Sequence, residues 1–388
     1  MPDPMRVAYI VPGLLTPSGW RSHTIGLLNA MRDRVEPTLY VSREDESEAQ
    51  RLFPGWPVQP LPTTQQYSAS SLNGLQRLFA CYRLIQSGSF PDVDLVHSLE
   101  AYPTGLVGHW LARRLGRPHV LTAHGTYSVV WDEQIINRQL YRQVLRQSAV
   151  VCPVSHGTLR LMQAHFGAAL RQERLRPILN GNNFWKNVPR SQAWDRELPD
   201  TPTLISVGAI KPRKGYRTSL GAFAALKARY PAARYLIIGS YLQNAYFASL
   251  QEMISRDRIE DVVFLGALPE QELGKYYQQA SLFVLAPQQE GLHFEGFGLV
   301  FLEAGAYGLP VVATRSGGVP DAVQDGVTGL LVEPGDINGM TSALLRLLDD
   351  ADLARRMGKA NRDWAEALTW ERAAVEQYQA YQEALQSA

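Results

Sequence analysis

The chain has 388 residues, of which 45% are hydrophobic and 19% are charged, and its formal net charge is +1. This composition is that of an ordinary globular protein, and the length suits two domains with a core each. No apolar run reaches the roughly 18 residues that a membrane-spanning helix needs, and the first residues lack the apolar stretch of a secretion signal. Only two cysteines occur, at unrelated positions, so we expect a reducing, cytoplasmic setting.

The charge is divided unevenly along the chain. Residues 1–200 contain 21 Lys+Arg and 16 Asp+Glu, which gives +5, and residues 201–388 contain 17 and 21, which gives −4. A basic first half suits an anionic acceptor or peripheral binding at the inner face of a membrane. An ordinary solvated surface is the simpler explanation of so small an excess. No basic run with interleaved aromatic residues indicates nucleic-acid binding.

Short apolar strands alternate with helical segments, which predicts parallel sheets with crossover helices in two doubly wound α/β domains. In the first half, strands are predicted near 6–12, 37–42, 94–99, 119–124, 149–154 and 175–179, and helices near 19–33, 69–86, 102–115, 132–147 and 156–166. Residues 184–202 have no clean period and indicate a linker. In the second half, strands are predicted near 203–208, 234–239, 262–266, 282–286, 310–314 and 329–332, with the last helices over 337–385.

The most informative pattern surrounds two glutamates. Glu295 and Glu303 are separated by seven residues, with glycines at 296 and 298 and an apolar, helix-like run around Glu303. This order predicts a loop that opens into a helix, whose first N–H groups attract phosphate. Two carboxylates beside a phosphate site can accept hydrogen bonds from vicinal hydroxyls. The pattern therefore predicts a ligand with sugar, phosphate and sugar in a row, and two solvated surface glutamates are the alternative.

Three cations stand in the loop that follows the first strand of the second half. Lys211, Arg213 and Lys214 lie between Gly208 and Gly215. A cluster at the carboxyl end of a strand is well placed to neutralise a diphosphate. A single exposed cation would ordinarily be just solvated, so the prediction rests on the cluster.

Two loops of the first half can line a ligand cleft. Gly13, Ser18 and Gly19 follow the first strand and can face a phosphate or an acceptor group, although such turns also serve tight geometry alone. His124 ends a predicted strand beside a glycine, where its ring can form a hydrogen bond with a sugar hydroxyl.

No metal site is predicted. Asp92 and Asp94 precede a strand, which is the wrong end for a cleft ligand, and His293 has no second ligand at metal spacing. Cys81 and Cys152 have apolar neighbours and are expected to be packing residues. The chain also lacks the motifs of nucleotide hydrolases, nicotinamide-binding domains and serine esterases.

Together these segments resemble the retaining glycosyltransferases of family 4, in the glycogen-phosphorylase/glycosyltransferase superfamily. Glu295 to Glu303 matches the family's Glu-x7-Glu element, and residues 316–321 match its Gly-Gly-x-Pro-Glu turn with aspartate for glutamate. Residues 122–125 resemble its Thr-x-His-Gly segment, and Thr369-Trp370 resembles the pair that opens its final helix. The resemblance covers nearly the whole chain, and the Glu-x7-Glu element with its glycine turn is the most specific part.

The resemblance implies the GT-B architecture, in which two facing Rossmann-like doubly wound domains are followed by a C-terminal helix that crosses back to the N-terminal domain. Residues 1–190 with helix 371–388 would bind the acceptor, and residues 200–370 would bind the nucleotide-sugar donor. The implied activity is metal-independent transfer of a hexosyl group, with retention, from a UDP- or GDP-sugar to a glycan, lipid or small-molecule hydroxyl. No cofactor is implied, because the nucleotide sugar is a substrate.

The resemblance also implies roles for individual residues. Glu303 would hold the ribose hydroxyls, and Glu295 would hold the donor sugar near the reacting carbon. The sugar and phosphates would meet backbone amides of four consecutive residues, Phe297, Gly298, Leu299 and Val300.

Lys214 matches the family lysine on the diphosphate, where stabilising the leaving group is the main catalytic demand. His124 would contact the donor sugar from the opposite domain, so domain closure would complete the site. Where the family usually has an arginine, this chain has Ala209. Our hypothesis is that Lys211 or Arg213 supplies the missing charge.

Alternatives stay open at this point. A sugar phosphorylase or synthase can use the same fold, as can a non-catalytic protein that binds sugar nucleotides; an epimerase is disfavoured because the long acceptor-side domain would have no purpose. Asn183 replaces the aspartate of the family's Asn-Gly-Val-Asp, so segment 178–183 receives no role. The stretch 67–86 suits a lipid or glycan acceptor, but core packing explains its large apolar residues equally well: Leu75, Leu78, Phe79, Tyr82 and Leu84.

Overall fold

The computed structural model describes residues 4–16, 18–64, 71–133, 135–194, 201–241 and 245–387. The chain forms two compact units. Unit 1 comprises Met1–Gly181 and Thr369–Ala388, and unit 2 comprises Asn182–Leu368. Within the described ranges, no helix is long and apolar enough to cross a membrane.

Twelve strands are found in the described residues. Those of unit 1 are β1 (Met5–Ile10), β2 (Val35–Ser42), β3 (Val58–Leu61), β4 (Leu95–Ser98), β5 (His119–Ala123) and β6 (Val150–Pro153). Those of unit 2 are β7 (Thr203–Val207), β8 (Arg234–Ile238), β9 (Val262–Gly266), β10 (Leu282–Leu285), β11 (Val311–Thr314) and β12 (Gly329–Val332).

The α-helices of the described residues lie mostly between these strands. The first seven are α1 (Gly19–Met31), α2 (Glu46–Leu52), α3 (Leu72–Ser87), α4 (Thr104–Leu115), α5 (Ile135–Gln147), α6 (His156–Phe166) and α7 (Arg190–Trp194). The others are α8 (Tyr216–Leu226), α9 (Ala245–Arg256), α10 (Glu270–Gln279), α11 (Leu299–Ala306), α12 (Val319–Ala322), α13 (Ile337–Asp349), α14 (Ala351–Ala367) and α15 (Trp370–Gln386).

Both sheets are parallel and share one strand order. The first runs β3-β2-β1-β4-β5-β6, and the second runs β12-β11-β10-β7-β8-β9, which is the same order read from the opposite edge. This is the doubly wound order, so the predicted α/β class with two Rossmann-like domains is confirmed. In such sheets, ligands bind at the carboxyl ends of the strands where the order reverses. These switch points lie where β1 pairs with β4 and where β7 pairs with β10.

Most strands were predictable because they are buried on both faces and read as continuous apolar runs. Every residue of β4, β5, β6, β10 and β11 is buried. The prediction of a strand at 175–179 was wrong, since this segment forms only an isolated bridge from Leu175 to Val151. Strand β3 and helix α2 were not predicted.

The segment predicted as a linker is partly regular. Phe184–Asn187 forms a 3-10 turn and helix α7 follows it, whereas residues 195–200 lie outside the described part. The buried Arg362 of α14 holds this turn by donating hydrogen bonds to the carbonyls of Trp185 and Val188, at 3.1 and 2.8 Å. Residues 69 and 70 of the helix predicted at 69–86 also lie outside the described part.

Unit 1 has an apolar core on each face of its sheet. Leu27 and Leu28 of α1 pack with Trp370 and Tyr381 of α15 in one core, and α3 and α4 contribute to the other. Thr369 caps α15 by accepting the N–H of Arg372 at 3.0 Å. The predicted C-terminal helix that returns to the N-terminal domain is therefore confirmed. The acceptor and donor roles of 1–190 with 371–388 and of 200–370 stay predictions.

The structure tests the core-packing explanation of the apolar residues in α3. Of the five residues named above, only Leu78 packs in the core, with 3% of its surface exposed. The other four are 38–59% exposed: Leu75, Phe79, Tyr82 and Leu84. Core packing therefore explains one of the five.

Candidate active site

Glu295, Arg213 and Lys214 meet at the switch point of unit 2. The Nζ of Lys214 lies 2.5 Å from Oε2 of Glu295, and a terminal nitrogen of Arg213 lies 3.0 Å from the same oxygen. The two cations follow β7 and the carboxylate follows β10, the strands that pair at the switch point. The structure thus brings the predicted Glu295 together with two predicted cations that lie about 80 positions earlier in the sequence.

This cluster is ionic and largely buried, with Arg213 half-buried. Lys214 is 7% exposed and Glu295 is 9% exposed. Burial opposes ionisation of Glu295, but the charges of Lys214 and Arg213 outweigh it, so the pKa of this carboxyl is lowered. Burial also lowers the pKa of Lys214, while Glu295 acts in the opposite direction. One carboxylate and two cations leave a net charge of +1, which favours an anionic ligand.

Glycine is required where the cation loop passes against β10. The loop forms a 3-10 turn over Pro212–Lys214 and ends at Gly215, whose φ is +67°. A Cβ on Gly215 would lie 1.7 Å from the carbonyl oxygen of Ala286. The N–H of Gln288 donates to the carbonyl of Arg213 at 2.9 Å and ties the loop to the segment after β10.

The predicted glycine pair holds the main chain of Glu295. The N–H of Gly318 donates to the carbonyl of Glu295 at 2.8 Å. Gly317 has a φ of +53°, and a Cβ there would lie 2.3 Å from the same oxygen. A side chain at 317 would therefore displace the catalytic carboxylate that we predict at 295.

The predicted phosphate-binding helix is α11. Gly298 caps it with a φ of +93°, and Leu299 and Val300 are its first two residues. Their N–H groups belong to the first turn, which has no intrahelical acceptors for them. Phe297 is buried just before the cap, with 2% exposure. The donor contacts assigned to these four residues stay predictions.

Glu303 lies in the middle of α11 and is half-buried. The hydroxyl of Tyr277, on α10, donates to its Oε2 at 2.9 Å. The ring of Tyr277 stacks on Tyr307 with centroids 5.1 Å apart, which fixes the hydroxyl. Sequence reasoning missed Tyr277, because no motif marks one buried tyrosine of an amphipathic helix.

The two cations proposed to compensate for Ala209 differ in position. Arg213 lies beside Glu295, as described above. Lys211 is exposed. Its charge has a smaller effect on the pKa of Lys214 than burial, Glu295 or Arg213 has. The geometry therefore favours Arg213 as the source of the extra charge, and the compensation itself stays a hypothesis.

In unit 1, the predicted glycine and serine loop follows β1. The hydroxyl of Ser18 caps α1, and the N–H groups of Leu14 and Leu15 donate to the buried carboxylate of Asp45 at 2.9 and 3.1 Å. These contacts give the loop a structural role. The ligand role predicted for Gly13, Ser18 and Gly19 is not tested by them.

His124 lies directly after β5 and is 8% exposed. Its ring packs edge-on against His23, with centroids 4.4 Å apart. Burial lowers the pKa of His124 well below 6.5, and the neighbouring His23 adds to this, so the imidazole is neutral at pH 7. His23 itself is fixed by a 2.9 Å hydrogen bond between its Nδ1 and Oδ1 of Asn180. The sequence indicated no role for His23 or Asn180.

The residues set aside as structural have structural partners. Asp92 and Asp94 each pair with Arg6 at 2.8 Å. Cys81 and Cys152 are buried free thiols. Burial raises the pKa of Cys81 to about 11 and that of Cys152 to about 12, so neither is a ready nucleophile.

Two family models match the chain. One, described as glycosyl transferases group 1, matches residues 191–364, and the other, described as glycosyltransferase family 4, matches residues 17–183. The chain is 34% identical over 280 residues to the GDP-mannose-dependent alpha-(1-6)-phosphatidylinositol monomannoside mannosyltransferase of Mycolicibacterium smegmatis, which covers 71% of this chain and 72% of that protein. It is 31% identical over 327 residues to the D-inositol 3-phosphate glycosyltransferase of Streptomyces griseus, covering 75% and 67%.

Solved structures share the fold. Anabaena HepE in complex with UDP and glucose has a TM-score of 0.72 at 20% identity, covering 97% of this chain and 98% of that one. Sucrose-phosphate synthase from Thermosynechococcus elongatus has a TM-score of 0.75 at 22% identity, covering 99% and 100%. At such identities the likeness shows the two-domain GT-B fold. Together with the family models and the relatives named above, it identifies this chain as an enzyme that acts on a nucleotide sugar and belongs to the group 1, family 4 glycosyltransferases.

Proposed function

We propose that the enzyme moves a hexosyl group from a GDP- or UDP-sugar to a hydroxyl of a lipid-linked polyol, with retention and without a metal. The cluster of the buried Glu295 and Lys214 with the half-buried Arg213 carries this proposal. The Mycolicibacterium relative is named for GDP-mannose and for a phosphatidylinositol monomannoside. GDP-mannose and that lipid are therefore the first donor and acceptor to test.

The cluster suits a diphosphate leaving group. Positive charge in a buried site acts on phosphate more strongly than it would in water. The first turn of α11 begins four residues after Glu295 and adds the positive end of a helix dipole. Because these groups can neutralise the negative charge that develops on the departing phosphate, the proposal needs no divalent cation.

Glu295 is better suited to hold sugar hydroxyls than to attack the reacting carbon. Its Oε2 is engaged by two cations, which stabilise the carboxylate and weaken it as a nucleophile. We therefore favour front-face displacement. The bond from the anomeric carbon to the phosphate oxygen breaks, the acceptor oxygen bonds to that carbon from the same face, and the departing phosphate takes the acceptor's proton.

Donor choice and metal independence can be tested directly. In a thermal-shift panel of GDP-mannose, UDP-glucose and ADP-glucose, a donor at 100 times its Kd should add about 2.7 kcal/mol of stability. Transfer to vesicles containing phosphatidylinositol monomannoside should proceed at the same rate with and without EDTA. A loss in EDTA that Mg²⁺ restores would overturn metal independence. No shift and no transfer with any nucleotide sugar would overturn the proposed function.

We also propose that unit 1 binds the surface of an anionic membrane. Helices α3, α4 and α5 pack on the same side of the first sheet, because Leu78, Leu111 and Leu140 belong to or pack against one core. Their outer sides therefore form one surface, which we call the α3–α5 face.

The α3–α5 face is both basic and apolar. Its three helices contain seven arginines and no Asp or Glu, although the whole chain has a net charge of only +1. Four of these arginines are exposed: Arg83, Arg113, Arg114 and Arg146. The face also carries seven of the thirteen exposed large hydrophobic residues in the described chain: Leu72, Leu75, Phe79, Tyr82, Leu84, Ile135 and Ile136.

The apolar residues lie largely toward the edge of the sheet that carries His124. Leu72 and Leu75 are in the first turn of α3, and Ile135 and Ile136 begin α5. Helices that follow parallel strands start near the carboxyl ends of those strands. Apolar insertion there would place the acceptor-binding edge at the headgroups. The four exposed arginines lie toward the C-terminal ends of the same helices, so they would meet anionic lipids along the rest of the face.

Vesicle co-sedimentation tests this surface. The enzyme should bind phosphatidylinositol-containing vesicles and bind neutral phosphatidylcholine vesicles far less. The double change Leu72→Ser and Leu75→Ser should weaken binding at least about tenfold, since each buried leucine contributes about 1.5–3 kcal/mol. Val375→Ser is the matched control, because Val375 is 40% exposed on α15 of the same unit. Equal weakening by the control, or equal binding to both lipids, would overturn the proposal.

A further inference from the structure

Glu100 occupies the switch point of unit 1. It follows β4, which pairs with β1 where the strand order reverses. In unit 2, Glu295 follows β10 at the corresponding place in the same strand order. The side chain of Glu100 is fully buried, and no part of the site described above uses it.

Glu100 and the residue before it hold His124 at two points. The carboxyl of Glu100 accepts the backbone N–H of Ala101 at 2.7 Å and also the backbone N–H of His124. The carbonyl of Leu99 accepts a hydrogen bond from the ring of His124. Nε2 of His124 has no partner among the described residues, so the bond to Leu99 uses Nδ1–H. This fixes the tautomer, and Nε2 is left as an acceptor.

The carboxyl of Glu100 has no cation beside it in the described structure. The groups that meet it are Tyr141 of α5, through an electrostatic interaction, and the N–H groups of Ala101 and His124. Gly105 of α4, which carries no charge, lies against the main-chain carbonyl of Glu100. Its Oε2 is buried and has no hydrogen-bond partner in the described residues. Because an unpaired buried carboxylate is costly, the neutral acid is the stable form.

We propose that Glu100 is a positioning residue of the transfer reaction: its neutral carboxyl holds the main chain of His124, so that Nε2 is presented to a substrate hydroxyl. This inference rests on the proposed function. Ionisation would require hydration of the carboxylate, so the end of β4 would have to open and release His124.

The pKa gives the pH range of the test. Burial raises the pKa of Glu100 from 4.5 to about 8, although the N–H groups of Ala101 and His124 act in the opposite direction. The titratable neighbours do not change charge between pH 7 and 9. Burial raises the pKa of Tyr141 well above 10, lowers that of His124 well below 6.5 and lowers that of His23 to about 4.

The first test is the pH profile of turnover. In the wild type, the protonated fraction of Glu100 falls about tenfold between pH 7 and pH 9, so kcat/KM should fall about tenfold. Glu100→Gln keeps a neutral acceptor for both N–H groups and should remove this fall. Glu100→Ala removes the acceptor and should lower kcat at pH 7 by at least about tenfold. The control Glu173→Gln, at an exposed acid of the same unit, should keep the wild-type profile.

A second measurement does not depend on transferase activity. A raised pKa in the folded state means that stability is lost as pH rises from about 4.5 to about 8. The difference between the melting temperatures of Glu100→Gln and the wild type should therefore shift in favour of the variant as pH rises from 5 to 8.5. If the variant does not fold, ¹³C NMR of wild-type glutamate carboxyls should show one that titrates near pH 8.

Each result decides the matter. A tenfold alkaline fall that persists in Glu100→Gln, or wild-type turnover in Glu100→Ala, would overturn the positioning role. A constant difference in melting temperature, or carboxyls that all titrate below pH 6, would overturn the neutral carboxyl. Absence of transfer by the wild type would instead contradict the proposed function, and the stability result would still stand.

Discussion

Replacing Lys214 by methionine removes the buried positive charge beside Glu295 and keeps an unbranched side chain of similar length. Lys214 lies 2.5 Å from Oε2 of Glu295 and is 7% exposed. If its ammonium group stabilises the departing diphosphate, the loss should resemble that of one preorganised donor in an active site. That loss is about 10²–10³ in kcat, or about 2.7–4 kcal/mol.

The effect on folding should be smaller than the effect on turnover. The variant leaves Glu295 with Arg213 as a partner at 3.0 Å, so the carboxylate does not become an uncompensated buried charge. The expected cost is about 1.5–3 kcal/mol, the range for one hydrogen bond to a charged group. A domain with a stability of about 5–15 kcal/mol remains folded after such a loss.

The assay measures steady-state transfer from GDP-mannose alongside urea denaturation. Lys211→Met is the matched control, because Lys211 lies in the same loop and is exposed. It should retain turnover within about fivefold, since exposed charges contribute about 0–1 kcal/mol. A folded Lys214→Met protein with near-normal kcat would refute the reasoning, and so would an equal loss in both variants.

Two further predictions concern the donor site. Glu303→Ala should raise the KM for the donor about 10–100-fold, since two ribose hydroxyls would lose a charged acceptor. Tyr277→Phe keeps the carboxylate and should raise the KM less. An unchanged KM in Glu303→Ala would contradict the ribose role. Gly317→Ala should lower the free energy of unfolding by about 1–3 kcal/mol more than Gly326→Ala does. Both glycines have a positive φ, but a Cβ at 317 meets the carbonyl of Glu295, whereas one at 326 meets no atom within 4 Å. Equal losses in urea denaturation would contradict this steric argument.

The sequence predicted the two sheets because parallel strands buried on both faces leave a strong apolar signal. It missed β3 for a physical reason. This strand is a four-residue edge strand that contains Pro60, and proline weakens any strand pattern. At 175–179 the opposite error occurred, because a strand was predicted where none forms. Arg176 and Ile178 donate to carbonyls of β6, but Pro177 has no N–H and no regular strand forms.

The candidate site was only partly predictable. Glycine-flanked motifs marked Glu295 and Lys214, and their meeting follows once β7 and β10 pair. Glu100 could not be found this way, because it lacks a motif and its importance comes from burial and from the N–H of His124. Tyr277 was missed for the same reason. Such residues act through contacts that only the folded chain creates.

The configuration of the product tests the central claim most directly. Purified enzyme would be given GDP-mannose labelled in the sugar, with phosphatidylinositol monomannoside in vesicles, and the labelled lipid would be analysed by NMR. We predict that the label moves to a lipid hydroxyl in α-linkage, the configuration it has in the donor, and that Lys214→Met forms little of this product. A β-linked product, or donor consumption that never labels the lipid, would contradict the account.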